Sequence, residues 1–531
     1  MNVGTQIIRG IEYVFEDYPI WDPVKKRGTH KRAYIGKNID GVFIPNKKHV
    51  LQQELTALKL STKPGPVSTA ICRRTFHGAT HLLESIADKT GVSQDLKACF
   101  PADHKQIASL AYYLALENHN PMYRFNRWAK SHEHPYGKEI ASQRISELFG
   151  RITEAGKMSF FKRQSMRRLE KEYLAYDTTS ISSYSQSIKQ VKYGHNKEHD
   201  SLPQLNLALL FGESSGLPVY YRKLAGNISD VKTIQNLLLD IDFMEMEKIK
   251  LVMDRGFYSE RNINELYRQH HKFLISAKTS LRFIQQKLDA IRNDFATRTY
   301  YHSPTNLYIQ SFMMNWAYTE TKPRTGEVVR DERRIYVHYY YNDQHATDDK
   351  IRLNLTLDVL EADLVAGKRE PEKEKLYDKY FTVSSTPVRG IKIEPKQEAI
   401  DKAVKDCGYF VLLANDIKDP AEALRIYRTK DLVEKAFGNL KERLNMRRES
   451  VSSEENLEGK LFVQFIALIF MSYIKTAMDK ANLFKNYTMQ EMLDELDIIE
   501  RFQQPGKAPH MGEITEKQRN LFLSMGVAIP T

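Results

Sequence analysis

IKLVMDRGFYSERNINELYRQHHKFLISAK, residues 249–278, is the stretch on which the fold turns. An apolar run ending in an acid (IKLVMD) gives way to a turn, then to the helical pattern SERNINELYRQH, then to a second apolar run, KFLISAK. The alternation of strand-like and helix-like texture implies a mixed α/β unit. Asp254 closes the first strand, and acids at adjoining strand ends project into the crevice where open α/β sheets bind ligands. Taken alone, such an Asp is as well explained as a turn former or helix cap.

Working upstream, three β-like runs appear at 173–182 (YLAYDTTSIS), 204–212 (QLNLALLFG) and 217–225 (LPVYYRKLA). An amphipathic helix follows over 231–241, with Ile234, Leu237, Leu238 and Ile241 on one face. Three strands, a helix, a strand, a helix and a strand is the order of an RNase H-like fold, and its first part is set at 171–278. The segment 279–406 interrupts it with aromatic β-like runs and a charged stretch (EADLVAGKREPEKEKLYDKY) read as a solvated helix. It is expected to be a β-rich insertion domain. The strand GYFVLLAND leads back to the second part of the core, 407–480, and a long helix is expected from Pro420 or Asp431 to about Arg448. Residues 481–531 are read as a C-terminal helix and tail.

The N-terminal side divides into a small β-rich basic module (1–50) and a helical DNA-binding region (51–170). Within LLESIADKTGVSQDLKACF (82–100), Gly91 stands where a helix-turn-helix would place its turn, and an ordinary αα-hairpin explains the pattern equally. The chain has 79 Lys+Arg against 67 Asp+Glu, a net charge of +12 that suits a polyanionic partner without specifying one. Its three cysteines, Cys72, Cys99 and Cys407, are too scattered for a disulfide framework or a zinc site, which fits a reducing cytoplasm. The first residues lack the apolar run of a signal peptide. Leu461–Ile474 is apolar but only 14 residues long and contains Gln464, so a buried core helix is expected and no membrane span.

Three acids could carry chemistry. Asp177 lies in a half-buried strand, where an ionisable group is costly unless it is paired or binds metal. Asp254 is the second. The third, Glu434, falls in IYRTKDLVEKAFGNLKERLNMRR, where Tyr427, Lys430, Glu434 and Lys441 are spaced to share one helical stripe. A solvated charged stripe explains that helix as readily. Three carboxylates could hold two hard divalent ions for in-line phosphoryl transfer, and their mutual repulsion is expected to be relieved only by the metal. Lys and Tyr beside the third acid could grip phosphates.

Asp177, the DRGFYS run at Asp254, and Tyr427-x2-Lys430-x3-Glu434-x6-Lys441 together resemble the DDE transposases of bacterial insertion sequences. The similar group is the family named after insertion sequence four, whose signature is Y-x2-R-x3-E-x6-K. Lys430 stands where that family has Arg, and Arg428 lies two residues earlier. YDTTSISSYSQ, YGHNKEHD and GNISDVKTI look most like its sixteen-thirty-four branch. The resemblance implies an RNase H-like core whose Asp177, Asp254 and Glu434 bind Mg²⁺ (Mn²⁺ substituting), two ions in all. It implies metal-dependent cleavage at the terminal inverted repeats and strand transfer into target DNA by a homodimer acting at the nucleoid. Tyr427, Arg428, Lys430, Lys441 and Arg255 become DNA contacts, with Trp316 a base-stacking candidate that core packing explains equally. Basic clusters at Lys25–Arg27, Lys31–Arg32, Lys47–Lys48, Lys162–Arg163 and Arg167–Arg168, with Arg443, Arg447 and Arg448, would add salt-dependent, sequence-blind affinity. End-specific reading is expected in the first 170 residues. The rival readings are a nuclease of the same fold that does not join strands, and a domesticated DNA-binding protein without catalysis.

Overall fold

Apolar sequence with strand texture forms the centre of the protein. The computed structural model describes the chain except for residues 1, 23–26, 40, 61–71, 119–120, 168–171, 184, 186–187, 195–201, 247, 323–324, 387–389, 443–447 and 450–452. Two compact units result, one of residues 1–74 with 502–510 and one of residues 75–501 with 511–531.

The first unit carries an antiparallel sheet of Asn2–Ile8, Ile11–Asp22, Arg27–Ile39 and Val42–Pro45, in that order. Its first hairpin turns on Arg9 and Gly10, both at positive φ (51° and 80°), the two-residue geometry that matches strand twist. A helix, Lys47–Leu60, follows.

In the second unit, ten strands join one mixed sheet. Those that matter for the site are β1 (Leu174–Ser183), β2 (Gln204–Gly212), β3 (Pro218–Ala225), β4 (Lys250–Met253), β5 (Lys272–Ala277), β6 (Leu307–Thr321), β7 (Val328–Tyr341) and β8 (Tyr409–Ala414). They are ordered β6-β7-β8-β5-β4-β1-β2-β3. β1, β4 and β5 are parallel, while β2 runs antiparallel to β1 and β3 antiparallel to β2. This arrangement is consistent with an RNase H-like core. β2 is buried at every position, as a strand covered on both faces is, and its two polar side chains, Gln204 and Asn206, both donate to the Gly226 carbonyl.

The segment 279–406 differs from a separate β-rich insertion. β7 pairs with β8, which pairs with β5, so β6 and β7 extend the central sheet. The rest is largely helical, including Asp343–Val365 and Glu374–Tyr380. The charged stretch expected to be one solvated helix spans two helices instead, because Leu360, Leu364, Tyr377, Tyr380 and Phe381 bury one another in a small core of their own.

Helices before the sheet also share its core. α1 (Glu154–Met166) sets Phe161 against Tyr220 and Tyr221 of β3 and against Phe462 and Phe465 of the long helix Glu454–Lys480. Glu458 of that helix receives both Lys157 of α1 and Lys223 of β3, two lysines that are nearly fully buried. The long helix is apolar and long enough to cross a membrane by length and composition, yet 78% of its apolar window is buried inside the molecule. That fits the core helix expected from the sequence. Gly78–Thr90 and Val92–Cys99 meet at Gly91 (φ +76°), and Val92, Asp95 and Leu96 of the second helix are buried. Arg167, counted above among surface clusters, pairs with buried Asp95 at 2.9 Å.

Because Phe161 is only 2% exposed, Phe161→Ala is expected to cost about 3–5 kcal/mol. Urea unfolding should show a lower midpoint with an unchanged m value. A midpoint within error of wild type would mean that the ring is not part of the core.

Candidate active site

The pairing of β4 with β1 places Met253 opposite Tyr176, so the residues that follow, Asp254 and Asp177, lie level on adjacent parallel strands. Met253 also pairs with Ile275, which brings Ser276 of β5 to the same level. Side chains alternate along β1. Tyr176 packs its ring on Phe257, 5.2 Å between centroids, and the Thr178 hydroxyl donates to Asp230 at 2.5 Å. Asp177 therefore points to the other face, and one of its oxygens accepts the Thr178 backbone N–H at 2.8 Å.

The turn after Asp254 is held from beneath. Asp230 opens α2 (Asp230–Phe243), and Asn262 sits in α3 (Glu260–Arg268), whose N-cap is Ser259. The fully buried Asn262 amide donates to the carbonyls of Val231 (2.9 Å) and Phe257 (2.8 Å), tying the start of α2 to the turn. A Cβ at Gly256 would come within 3.2 Å of Asp230 Oδ2, a tight contact that the Asp230 side chain would have to shift to accommodate. Sequence reasoning did not single out Asp230, Asn262 or Ser276. Only Asn262 left a trace, an amide on the apolar face of α3 beside Ile263 and Leu266.

Of the two helix starts expected, Asp431 is the one observed for the helix that carries Glu434. α4 (Pro420–Arg428) ends at Arg428, residues 429–430 form a turn, and α5 (Asp431–Glu442) begins. Tyr427 is thus in the last turn of α4, Lys430 in the break and Glu434 in the first turn of α5, where the helix dipole favours a carboxylate. The shared stripe is replaced by a corner. The break is closed by the Lys430 N–H donating to the Tyr427 carbonyl (3.1 Å) and the Val433 N–H donating to Lys430 (2.9 Å).

The corner brings Lys430 among the acids. Its Nζ lies 3.4 Å from Asp254 Oδ2 and 3.2 Å from Glu434 Oε1. Burial would lower the Lys430 pKa, but the negative charges around it, those of Tyr427 when ionised, Asp254, Asp177 and Glu434, drive it well above the ordinary lysine value. Burial likewise would raise the Asp254 carboxyl. The Lys430 charge, the Arg255 backbone N–H and the Tyr427 hydroxyl (2.9 Å from Oδ1) outweigh that and hold it below the usual range. Tyr427 itself is pushed far up, first by burial and then by the Asp254 charge. Repulsion among the acids is therefore relieved by an internal ammonium, and not by metal alone as the sequence suggested.

Of the other expected contacts, Arg255 and Arg428 are exposed, and Lys430 is the cation seen against Asp254 and Glu434 among the described residues. The side chain of Lys441 lies outside the described residues, as do those of Lys25–Arg27, Arg168, Arg443, Arg447 and Arg448. Trp316 is buried in the β6–β7 hairpin, edge-on to Phe283, and its indole N–H donates to Asn264 at 2.7 Å. That packing satisfies both its apolar face and its one donor, as the core-packing reading of Trp316 expects.

Among the described residues, no three His, Cys, Asp or Glu side chains are gathered closely enough to hold a metal ion. The donor chemistry nevertheless suits one. The carboxylates around Lys430 are hard oxygen donors with a cation already drawn among them, the ligand type that Mg²⁺ and Mn²⁺ prefer.

The model of a family described as transposase DDE domain matches residues 168–470. No curated protein matches the chain. Among solved structures, the chain is similar to a piggyBac transposase synaptic complex with hairpin DNA, determined by cryo-EM. The identity is 9%, 79% of this chain and 77% of that one are covered, and the TM-score is 0.36. A likeness at that level carries no weight for the site.

Asn262→Ala would leave two buried carbonyls without their donor, at a cost of about 1–3 kcal/mol. A thermal melt should show the loss, and an unchanged melting temperature would remove Asn262 from the support of the turn.

Proposed function

The chain belongs to the transposase DDE domain family, and from that premise we propose that it is an active DNA transposase with Asp177, Asp254 and Glu434 as its catalytic carboxylates. The observation that carries the proposal is the level placement of Asp177 and Asp254 on parallel strands, with Glu434 turned toward the same cation. The motif spacing around Tyr427, Glu434 and Lys441 supports membership in the insertion-sequence-four group, and the segments YDTTSISSYSQ, YGHNKEHD and GNISDVKTI support its sixteen-thirty-four branch.

The three carboxylates would hold two Mg²⁺ ions, or Mn²⁺ in their place. The chemistry such ions supply is activation of a water or 3′-OH and stabilisation of the leaving oxygen in an in-line displacement. The chain's own residues do the rest. Tyr427 orients Asp254 through its hydroxyl. The brace formed by Asp230 and Asn262 fixes the turn after Asp254, so that its carboxylate is preorganised and not free to swing. Arg255, next to Asp254 in the chain, and Arg428, next to Tyr427, are exposed cations of the kind that bind phosphates. The substrate is double-stranded DNA, first the terminal inverted repeats and then the target, handled by two copies of the chain at the nucleoid. Affinity through these contacts falls steeply with salt.

Cleavage of DNA carrying the element's ends is expected in Mg²⁺ or Mn²⁺. Asp177→Ala, Asp254→Ala and Glu434→Ala should each reduce it by about 10³-fold or more while leaving DNA binding intact. Cleavage surviving in one variant would unseat that acid. Pre-cut ends that fail to join target DNA would indicate a nuclease of this fold. A wild type that binds the ends and never cuts them would indicate a DNA-binding protein without catalysis.

A further inference from the structure

Lys430 does more than fill the position of the family's Arg. Its side chain is 11% exposed, its ammonium contacts Asp254 and Glu434, and it lies within the electrostatic reach of Asp177. The backbone at this point is fixed by the α4–α5 corner. The four-carbon stem is not fixed in that way, since it pivots about rotatable bonds and ends in a point charge without the planar fork of Arg. The Tyr427 ring lies beside it, 5.9 Å from centroid to Nζ. Lys430 is therefore a tethered monovalent cation drawing on the oxygens that a divalent ion would need. Two cations cannot share those oxygens at close range without repelling one another.

We propose that Lys430 is an internal counter-ion that partly offsets the charge of the carboxylates in the metal-free protein and is displaced from them when divalent cations bind. Its departure and the arrival of metal are one exchange, so Lys430 sets both the metal affinity and the stability of the empty site. The inference rests on the reading of Asp177, Asp254 and Glu434 as metal ligands. It adds that the chain holds its own competitor for them. By linkage, a contact that stabilises only the metal-free form weakens metal binding by the same free energy.

The test is Mn²⁺ binding to the full-length, DNA-free protein, followed by electron paramagnetic resonance of free Mn²⁺, alongside melting curves in chelator. Lys430→Gln should bind Mn²⁺ about tenfold or more tightly than wild type. It should melt lower than wild type in chelator and recover more on adding Mn²⁺. Lys430→Met, which also lacks the charge, should behave in the same way, and it serves in place of the Gln variant should that one not fold. Lys430→Arg, which keeps the charge, should stay near wild type. Unchanged or weaker Mn²⁺ binding by both neutral variants, with wild type still binding, would overturn the counter-ion role and leave the metal site standing. Equal Mn²⁺ binding by wild type and by Asp177→Ala and Asp254→Ala would overturn the metal-site reading, and the inference with it.

Discussion

Two short parallel strands, Leu174–Ser183 and Lys250–Met253, are hydrogen-bonded in a register that leaves Asp177 and Asp254 side by side. A strand's side chains alternate faces, so a slip of one residue would turn one of the acids to the opposite side of the sheet. The register is locked by burial. Leu174, Ala175 and Tyr176 on one strand, and Leu251, Val252 and Met253 on the other, are almost wholly excluded from solvent. Below the sheet, Thr178 to Asp230 and the two bonds from Asn262 fix the loops that emerge from these strands. The site is built outward from that pairing.

Bringing carboxylates together on such a frame raises an electrostatic cost that the fold must meet before any ligand arrives. The break between Arg428 and Asp431 meets it. A straight helix through this region would have kept Tyr427, Lys430 and Glu434 on a common stripe. The corner instead lets the Tyr427 hydroxyl and the Lys430 ammonium approach Asp254 together. Glu434 begins the next helix, where its charge is favoured by the dipole. One local departure from helical geometry thus places Glu434 and the ammonium that partly offsets the charge of Asp254 and Glu434.

The surrounding architecture keeps this corner in place. Tyr409–Ala414 lies antiparallel to Lys272–Ala277 and carries the two long strands of the 279–406 segment with it, so that segment widens the sheet that holds the site. On the other side, the buried helix Glu454–Lys480 joins the N-terminal helices to the sheet through the Phe161 cluster and the Glu458 ion pairs.

Much of this was legible in the sequence. The order of strands and helices from Leu174 to Ala277 follows from apolar runs and helical spacing, because local periodicity reports which face of an element is buried. The same logic identified Leu461–Ile474 as core and brought forward Asp177 as an acid in a half-buried strand and Asp254 as an acid at a strand end, while helical spacing brought forward Glu434. What the residues could not show is anything that depends on partners distant in the chain. The level placement of Asp177 and Asp254 is a fact of inter-strand register. The burial of Trp316 depends on Asn264 and Phe283, which lie more than thirty positions away. The break at residues 429–430 follows no Gly or Pro and closes around contacts with β4. Asp230 looks like an ordinary helix start until Thr178 is found against it. Sequence alone determined the order of elements from Leu174 to Ala277 and which acids stand out, because those are local properties. Tertiary structure alone decided which of those acids meet and what partly offsets their charge, because pairing register and packing are fixed only when distant segments bury one another.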